Sequence, residues 1–272
     1  MDGPASDTLF AGSIPELYDT CLVPLIFEPY AEDLAKRAVA LEPSRVLETA
    51  AGTGVVTRAL ASALPAHVEL VATDLNQPMI DRAAAVGTQR PVSWQQADAL
   101  QLPFAGASFD LVVCQFGVMF FPDKVHAFSE ARRVLRPGGT LLFNVWDCIE
   151  ENQFADVVTQ ALATLFPDDP PLFMARTPHG YFDRIVISRD LAGAGFGALP
   201  GFETRAARSR AASAQDVAIA YCQGTPLRNE IKARAGTDLA GATSACATAI
   251  ADRFGAGPVD GKIQAHIVTV GY

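Results

Sequence analysis

The stretch VLETAAGTGVVTRAL, Val46–Leu60, runs from apolar residues through a turn of small residues into a helix-like pattern. Glu48 closes the apolar run, and Ala50, Gly52 and Gly54 keep the turn small, the two glycines giving the chain freedom to bend tightly. Without Cβ atoms at Gly52 and Gly54, ligand atoms can approach the backbone. A helix starting near Val55 would aim its N-terminal amides back into the same space. The order strand, glycine turn, helix predicts a nucleotide-type ligand.

Two details of the turn narrow that class. The dinucleotide fingerprint GxGxxG calls for a third glycine where Thr57 stands, and the Walker pattern GxxxxGK[ST] is absent. Glu48 also places a carboxylate just before the turn. Beside a pyrophosphate that charge is unfavourable; beside an ammonium or sulfonium group it is favourable. The turn therefore predicts a cationic or zwitterionic ligand.

Outward from this stretch, apolar runs and helical patterns alternate between Glu42 and about Trp146. Strands are expected at Arg45–Thr49, Val68–Thr73, Val92–Gln96, Leu111–Cys114 and Thr140–Trp146, with helices at Val55–Ala63, Gln77–Ala85 and Pro122–Val134. Phe202–Ser209 and Ile263–Gly271 read as two further strands. The whole predicts an α/β fold: a doubly wound, mostly parallel, seven-stranded Rossmann-like sheet with ligands at the strand C-termini. Ile14 to Ala40 reads as N-terminal helices, Phe154–Phe166 as an amphipathic helix, and a helix is expected near Ser188–Gly195 after the Pro-rich FPDDPPLFMARTPHGYF loop. Ala214–Ala235 and Leu239–Phe254 form a helical insertion near the C-terminus, expected to act as a partial lid. One domain, residues 1–272, is expected: a cofactor-binding core at 42–147, an N-terminal helical cap at 10–41, and substrate-side elements at 150–260.

Composition limits the partners. Of 272 residues half are hydrophobic, enough for a substantial core, and the net charge is −9. An acidic surface repels polyanions, so no nucleic-acid partner is expected. The cluster Arg205, Arg208 and Arg210 reads as a solvated strand face. Five scattered cysteines and four unpaired histidines argue against a metal site or disulfide framework. No apolar run nears the roughly 20 residues of a membrane span, and MDGPASDTLF lacks signal-peptide character. The expectation is a cytoplasmic monomer or homodimer, with a small-molecule substrate and no membrane partner.

At this point a resemblance is plain. ExxxGxG after a strand, followed by VATDLNQPMI, ADALQLPFAGASFDLVVCQFGVMFFPD and RVLRPGGTLLFNVWD, resembles the ordered motifs of class I S-adenosylmethionine-dependent methyltransferases. The likeness covers about Pro43 to Asp147, and the leading helix IPELYDTCLVPLIFEPYAEDLAKR resembles small-molecule members related to quinone-biosynthesis methyltransferases. It implies S-adenosyl-L-methionine as cofactor, S-adenosyl-L-homocysteine as product, and no metal. Glu48, Ala50, Gly52 and Gly54 would form the cofactor turn. Asp74 would accept from the ribose hydroxyls, unless it only caps the next helix. Leu75 and Met79 would flank the adenine; Asp98, Ala99 and Leu100 would meet its edge and face. Gln115 and Phe116 would line the methionine end, and Tyr18 would close over the cofactor. Arg136–Gly139 would be the structural turn before the fifth strand. From about Glu150 the resemblance is diffuse, and the small residues TAAGTG stand where relatives carry GCGTG.

Methyl transfer is an in-line substitution for which the protein supplies mainly position and exclusion of water. Acceptor-side candidates are His179, Tyr181, Tyr221, Gln223 and Arg228, with His126 read as an exposed helical histidine. Two other readings stay open: an NAD-dependent oxidoreductase, disfavoured by Glu48 and Thr57, and a non-catalytic S-adenosylmethionine-binding protein.

Overall fold

The computed structural model describes residues 7, 8, 10, 12, 14–234 and 236–272; most of MDGPASDTLF, and position 235 at the end of the expected Ala214–Ala235 helix, lie outside the described residues. Strands follow as β1 (Arg45–Glu48), β2 (Glu69–Asp74), β3 (Ser93–Gln96), β4 (Phe109–Gln115), β5 (Leu135–Trp146), β6 (Gly201–Ala211) and β7 (Val259–Gly271). They form a seven-stranded sheet of order β3-β2-β1-β4-β5-β7-β6. β1 pairs in parallel with both β2 and β4, so Val46 lies between Leu70 and Leu111. Val46 and Leu47 are fully buried, as expected for a central parallel strand covered on both faces. β3, rich in polar residues, forms an edge.

β7 runs against β5. The Gly138 N–H meets the Tyr272 carbonyl at 2.9 Å, while the Asp147 N–H meets the Gln264 carbonyl at 3.0 Å. This pairing changes the expected role of Arg136–Gly139. Rather than forming a turn before the strand, those residues belong to a bulged start of β5, with Phe109 opposite Leu135 and a register shift before Leu111. Gly138, at φ +83°, takes the left-handed conformation that the bulge needs.

The helices are α1 (Ile14–Leu17), α2 (Glu28–Ala40), α3 (Val55–Ala63), α4 (Gln77–Val86), α5 (Lys124–Val134), α6 (Gln153–Leu165), α7 (Phe173–Arg176), α8 (Arg184–Gly193), α9 (Ala214–Gln223), α10 (Leu227–Lys232) and α11 (Leu239–Phe254), with a π-helical stretch at Tyr18–Phe27. The chain divides into two compact units. One takes Glu28–Val145, Tyr181–Arg205 and Ala265–Tyr272; the other takes Met1–Phe27, Trp146–Gly180 and Ala206–Gln264.

The first unit holds the parallel sheet with α2–α5 and α8. Its α3 and α4 begin where β1 and β2 end, so both helix N-termini lie at the strand C-terminal edge. In the second unit α9 and α11 pack through small buried residues, among them Ala218, Cys222, Ala242 and Cys246. The expected helix over Ala214–Ala235 is two helices, broken at Gly224–Pro226. A Cβ on Gly224 would stand 2.7 Å from the Ala220 carbonyl, so the break is a packed joint. No described helix is long and apolar enough to cross a membrane.

Candidate cofactor site

β1 delivers Glu48 to the edge of the sheet with only 1% of its surface exposed. Its Oε2 accepts the Thr57 hydroxyl at 2.5 Å, and Oε1 has no hydrogen-bond partner among the described residues. Burial pushes the carboxyl up to about 8; the Thr57 hydroxyl and the Arg58 charge oppose that rise, and Asp74 adds to it.

Asp74 ends β2 and reaches back across the turn. Its Oδ2 accepts from the Gly52 N–H at 2.8 Å and its Oδ1 from the Asn76 N–H at 2.8 Å. Burial raises its pKa against the pull of these backbone donors. Oδ1 is also approached by Asn76 Nδ2 at 3.5 Å, whereas Oδ2, with two lone pairs and one donor, retains capacity for a further one. Asp74 does not cap α4, whose N-cap is Asn76; it closes an Asx turn onto the Asn76 N–H ahead of the helix, which leaves a ligand role compatible with its geometry.

The turn itself is sterically tight. Gly54 caps α3 at φ +84°, and a Cβ there would stand 2.8 Å from Cη2 of Trp94. Ala50 is held at φ +52° and Phe116 at φ +50°, left-handed conformations that a non-glycine residue adopts at a cost. Gly117 makes room between them: a Cβ on it would meet the Ala50 methyl at 2.5 Å and the Cys114 sulfur at 2.8 Å.

The remaining residues expected from the sequence fall on the same edge. Gln115 and Phe116 are buried and are both held by Asn144, whose Oδ1 accepts the Phe116 N–H at 2.9 Å and whose Nδ2 reaches Gln115 Oε1 at 3.4 Å. Leu75 is 47% exposed, an apolar side chain presented outward at the end of β2, whereas Met79 is buried in the core. The Ala97 N–H bonds the Asp74 carbonyl and so brings the following segment to β2. There Asp98 is exposed, its Oδ1 accepting the Leu100 N–H at 2.9 Å in an Asx turn, with Ala99 and Leu100 half-buried.

Other candidates lie elsewhere. Tyr181, in the first unit, donates its hydroxyl to Asp190 at 2.9 Å, under the Lys124 ammonium at 4.9 Å from its ring. Burial, with the carboxylate beside it, raises its pKa. Tyr18, His179, Tyr221, Gln223 and Arg228 belong to the second unit. Tyr18 stacks on Phe27 at 5.1 Å; Phe27 lies 6.0 Å from Trp146, and Trp146 lies 6.0 Å from His179.

His179 Nδ1 lies 2.9 Å from the Asp147 carbonyl, which can only accept, so Nδ1 carries the proton and Nε2 its lone pair. Burial lowers the imidazole to about 4, leaving it neutral at physiological pH. Tyr221 is buried and its pKa is raised by that burial, and Gln223 donates to Thr243 at 3.2 Å. Arg228 lies at the start of α10, where its N–H bonds the Thr225 carbonyl. Each arginine of the basic cluster of β6 has a carboxylate partner: Arg205 pairs with Asp33, and Arg208 and Arg210 share Asp260. Among the described residues no group of His, Cys, Asp and Glu is arranged to hold a metal ion.

Sequence reasoning missed Thr57 as Glu48's partner, Asn144 as the clamp on Gln115–Phe116, and Gly117 as the space for Ala50. The signal for the first was present: the residue that breaks the dinucleotide fingerprint is itself a hydrogen-bond donor.

The mostly parallel sheet with an antiparallel β7, and an acidic residue ahead of a glycine turn, define a Rossmann-like protein of methyltransferase type. Comparison with known proteins agrees. A methyltransferase domain model matches residues 47–143. A demethylmenaquinone methyltransferase of Mycobacterium sp. (strain KMS) is 32% identical over 161 residues, 56% of this chain and 67% of that protein. A demethylmenaquinone methyltransferase of Deinococcus radiodurans is 36% identical over 144 residues, 52% of this chain and 59% of that protein. The chain belongs to the class I S-adenosylmethionine-dependent methyltransferase family. The chain spans 59% of the length of the Deinococcus relative. Among solved structures, the YcgJ protein of Bacillus subtilis shares the fold at a TM-score of 0.54 and 17% identity, covering 89% of this chain and 98% of that one.

Proposed function

We propose that this protein transfers a methyl group from S-adenosyl-L-methionine to a small-molecule acceptor. The observation that carries the reading is the buried Glu48 carboxyl, one oxygen held by Thr57 and the other without a partner among the described residues, beside a tight glycine turn. That chemistry suits an amino-acid nucleoside with a cationic group and is unsuited to a pyrophosphate. Glu48 would take the ammonium end, Asp74 the ribose hydroxyls, Asp98, Ala99 and Leu100 the adenine with Leu75 and Met79, and Gln115 and Phe116 the methionine chain. The cofactor would supply an activated methyl group; the chain's own residues would bind, orient and exclude water.

The names of the relatives support a planar, quinone-like acceptor. The aromatic series Tyr18, Phe27, Trp146 and His179 suits such a ring, and the neutral His179 can accept a hydrogen bond from an acceptor hydroxyl at Nε2. Tyr18 is also proposed to close over the cofactor, with Tyr181, Tyr221 and Arg228 as further acceptor-side candidates. In this reading the chain is one methyltransferase domain, with 42–147 serving the cofactor, 150–260 the acceptor and 10–41 as a cap. The enzyme would work in the cytoplasm as a monomer or homodimer, without nucleic-acid or membrane partners.

Calorimetric titration with S-adenosylmethionine, S-adenosylhomocysteine and NAD tests the first step. Binding of both adenosyl ligands and none of NAD is expected; no binding of either adenosyl ligand would sink the proposal. A methyl-donor assay across quinols, phenols, carboxylates and amines then identifies the acceptor class.

A further inference from the structure

The two residues by which this turn departs from a dinucleotide fingerprint touch each other. Thr57, on the first turns of α3, is fully buried, and its hydroxyl reaches Glu48 Oε2 at 2.5 Å. The Glu48 backbone is fixed from the other side, where the Thr73 hydroxyl donates to its carbonyl at 3.0 Å. With the main chain and one oxygen both tied, Oε1 is the polar atom of Glu48 left without a hydrogen-bond partner among the described residues.

We propose that Thr57 is a positioning residue: it pins Oε2 so that Oε1 receives the ammonium group of the ligand, and capture of that group expels the proton of the Glu48 carboxyl to solvent. The inference rests on the turn being an S-adenosylmethionine site. In the exchange, the carboxyl O–H bond breaks, the proton goes to bulk water or buffer, and the carboxylate pairs with the ligand's ammonium.

The charged and titratable groups around Glu48 come from three elements. Arg58 of α3 favours the ionised form, and its Nη1 is engaged with the Thr53 carbonyl at 2.7 Å. Asp74 of β2 disfavours it. Cys114 of β4, pushed up to about 12 by burial, stays a neutral thiol. Burial is the largest influence, which is why the free carboxyl holds its proton up to about pH 8. A valine at position 57 keeps the shape and removes the donor that stabilises the carboxylate; a serine keeps the donor.

The test is calorimetric titration of S-adenosylhomocysteine between pH 6 and 8.5, in two buffers of different ionisation heat. The wild type should bind roughly tenfold more tightly at pH 8 than at pH 6.5, with net proton release. Thr57→Val should bind about tenfold more weakly at pH 7, with the midpoint of the profile displaced upward by about one unit. Thr57→Ser should match the wild type, and Glu48→Gln should show neither pH dependence nor proton release. A Thr57→Val profile superimposed on the wild type, or equal losses in the valine and serine variants, would overturn the proposal.

Thermal denaturation of the ligand-free protein reads the same pair independently. The folded pKa of Glu48 lies above its unfolded value, so the stability due to its proton is full below about pH 4.5 and lost as pH rises toward 8. That loss should extend to higher pH in Thr57→Val and be absent in Glu48→Gln. If the wild type binds no S-adenosylhomocysteine, the ligand reading fails, while the melting profiles still decide whether Thr57 governs Glu48.

Discussion

In the turn after β1, Glu48 finds its partner Thr57 nine residues along the chain, and Gly52 finds Asp74 only 22 residues away. In the second unit the ties reach much further. Arg176 bonds Asp7 across 169 positions and Glu230 across 54, and His179 meets Asp147 across 32. The first region is a local device, specified by which small and polar residues follow one another around a strand end. The second is assembled by packing segments remote in sequence, and its chemistry exists only once they meet.

The largest effect should come from removing Asp74. Asp74→Ala leaves the Gly52 and Asn76 N–H groups without their carboxylate and removes the acceptor proposed for two hydroxyls. Affinity for S-adenosylhomocysteine should fall about 100-fold or more, from loss of charge-assisted hydrogen bonds worth roughly 1.5–3 kcal/mol each. Unchanged affinity in a calorimetric titration would make Asp74 a residue that only ties the Gly52 and Asn76 backbone together and break the assignment of ligand binding to the local device.

The same contrast explains what could be read in advance. Val55–Ala63 and Leu239–Phe254 emerge as expected from their periodicity, and β1 and β2 differ from expectation only at their ends. Local patterns carry such elements because each turn or strand end is specified by neighbouring residues. RPGG was misjudged for the opposite reason: its conformation depends on Tyr272, which pairs with Gly138 and Gly139 from the far end of the chain. Thr57 was seen only as a missing glycine, since nothing in the string says that its hydroxyl points at Glu48. The acceptor side is least legible, because Tyr18, Phe27, Trp146 and His179 are brought into one series by tertiary packing and share no motif.

A second prediction sharpens the local side. Gly54→Ala must hold a side chain at φ +84° and place its Cβ against Trp94. The combined strain should cost about 2–4 kcal/mol in urea unfolding. A loss under 1 kcal/mol would mean that β3 and Trp94 yield easily, and that the turn is shaped for a ligand more than for packing.

The smallest effect is expected at His179, and it probes the assembled side. Asn at this position can still donate to the Asp147 carbonyl in place of Nδ1, but offers nothing where Nε2 stood. If Nε2 orients an acceptor hydroxyl, His179→Asn should lower kcat about tenfold, the value of one hydrogen bond. Affinity for S-adenosylhomocysteine should stay unchanged. His179→Gln, which restores a polar group near the Nε2 position, should recover part of the loss. Since burial holds the imidazole at about 4, neither substitution should alter the shape of the pH–rate profile between pH 5.5 and 8. Loss of an acidic limb near pH 6.5 in the variants would show instead that His179 titrates during turnover, which requires its burial to be relieved when the acceptor binds.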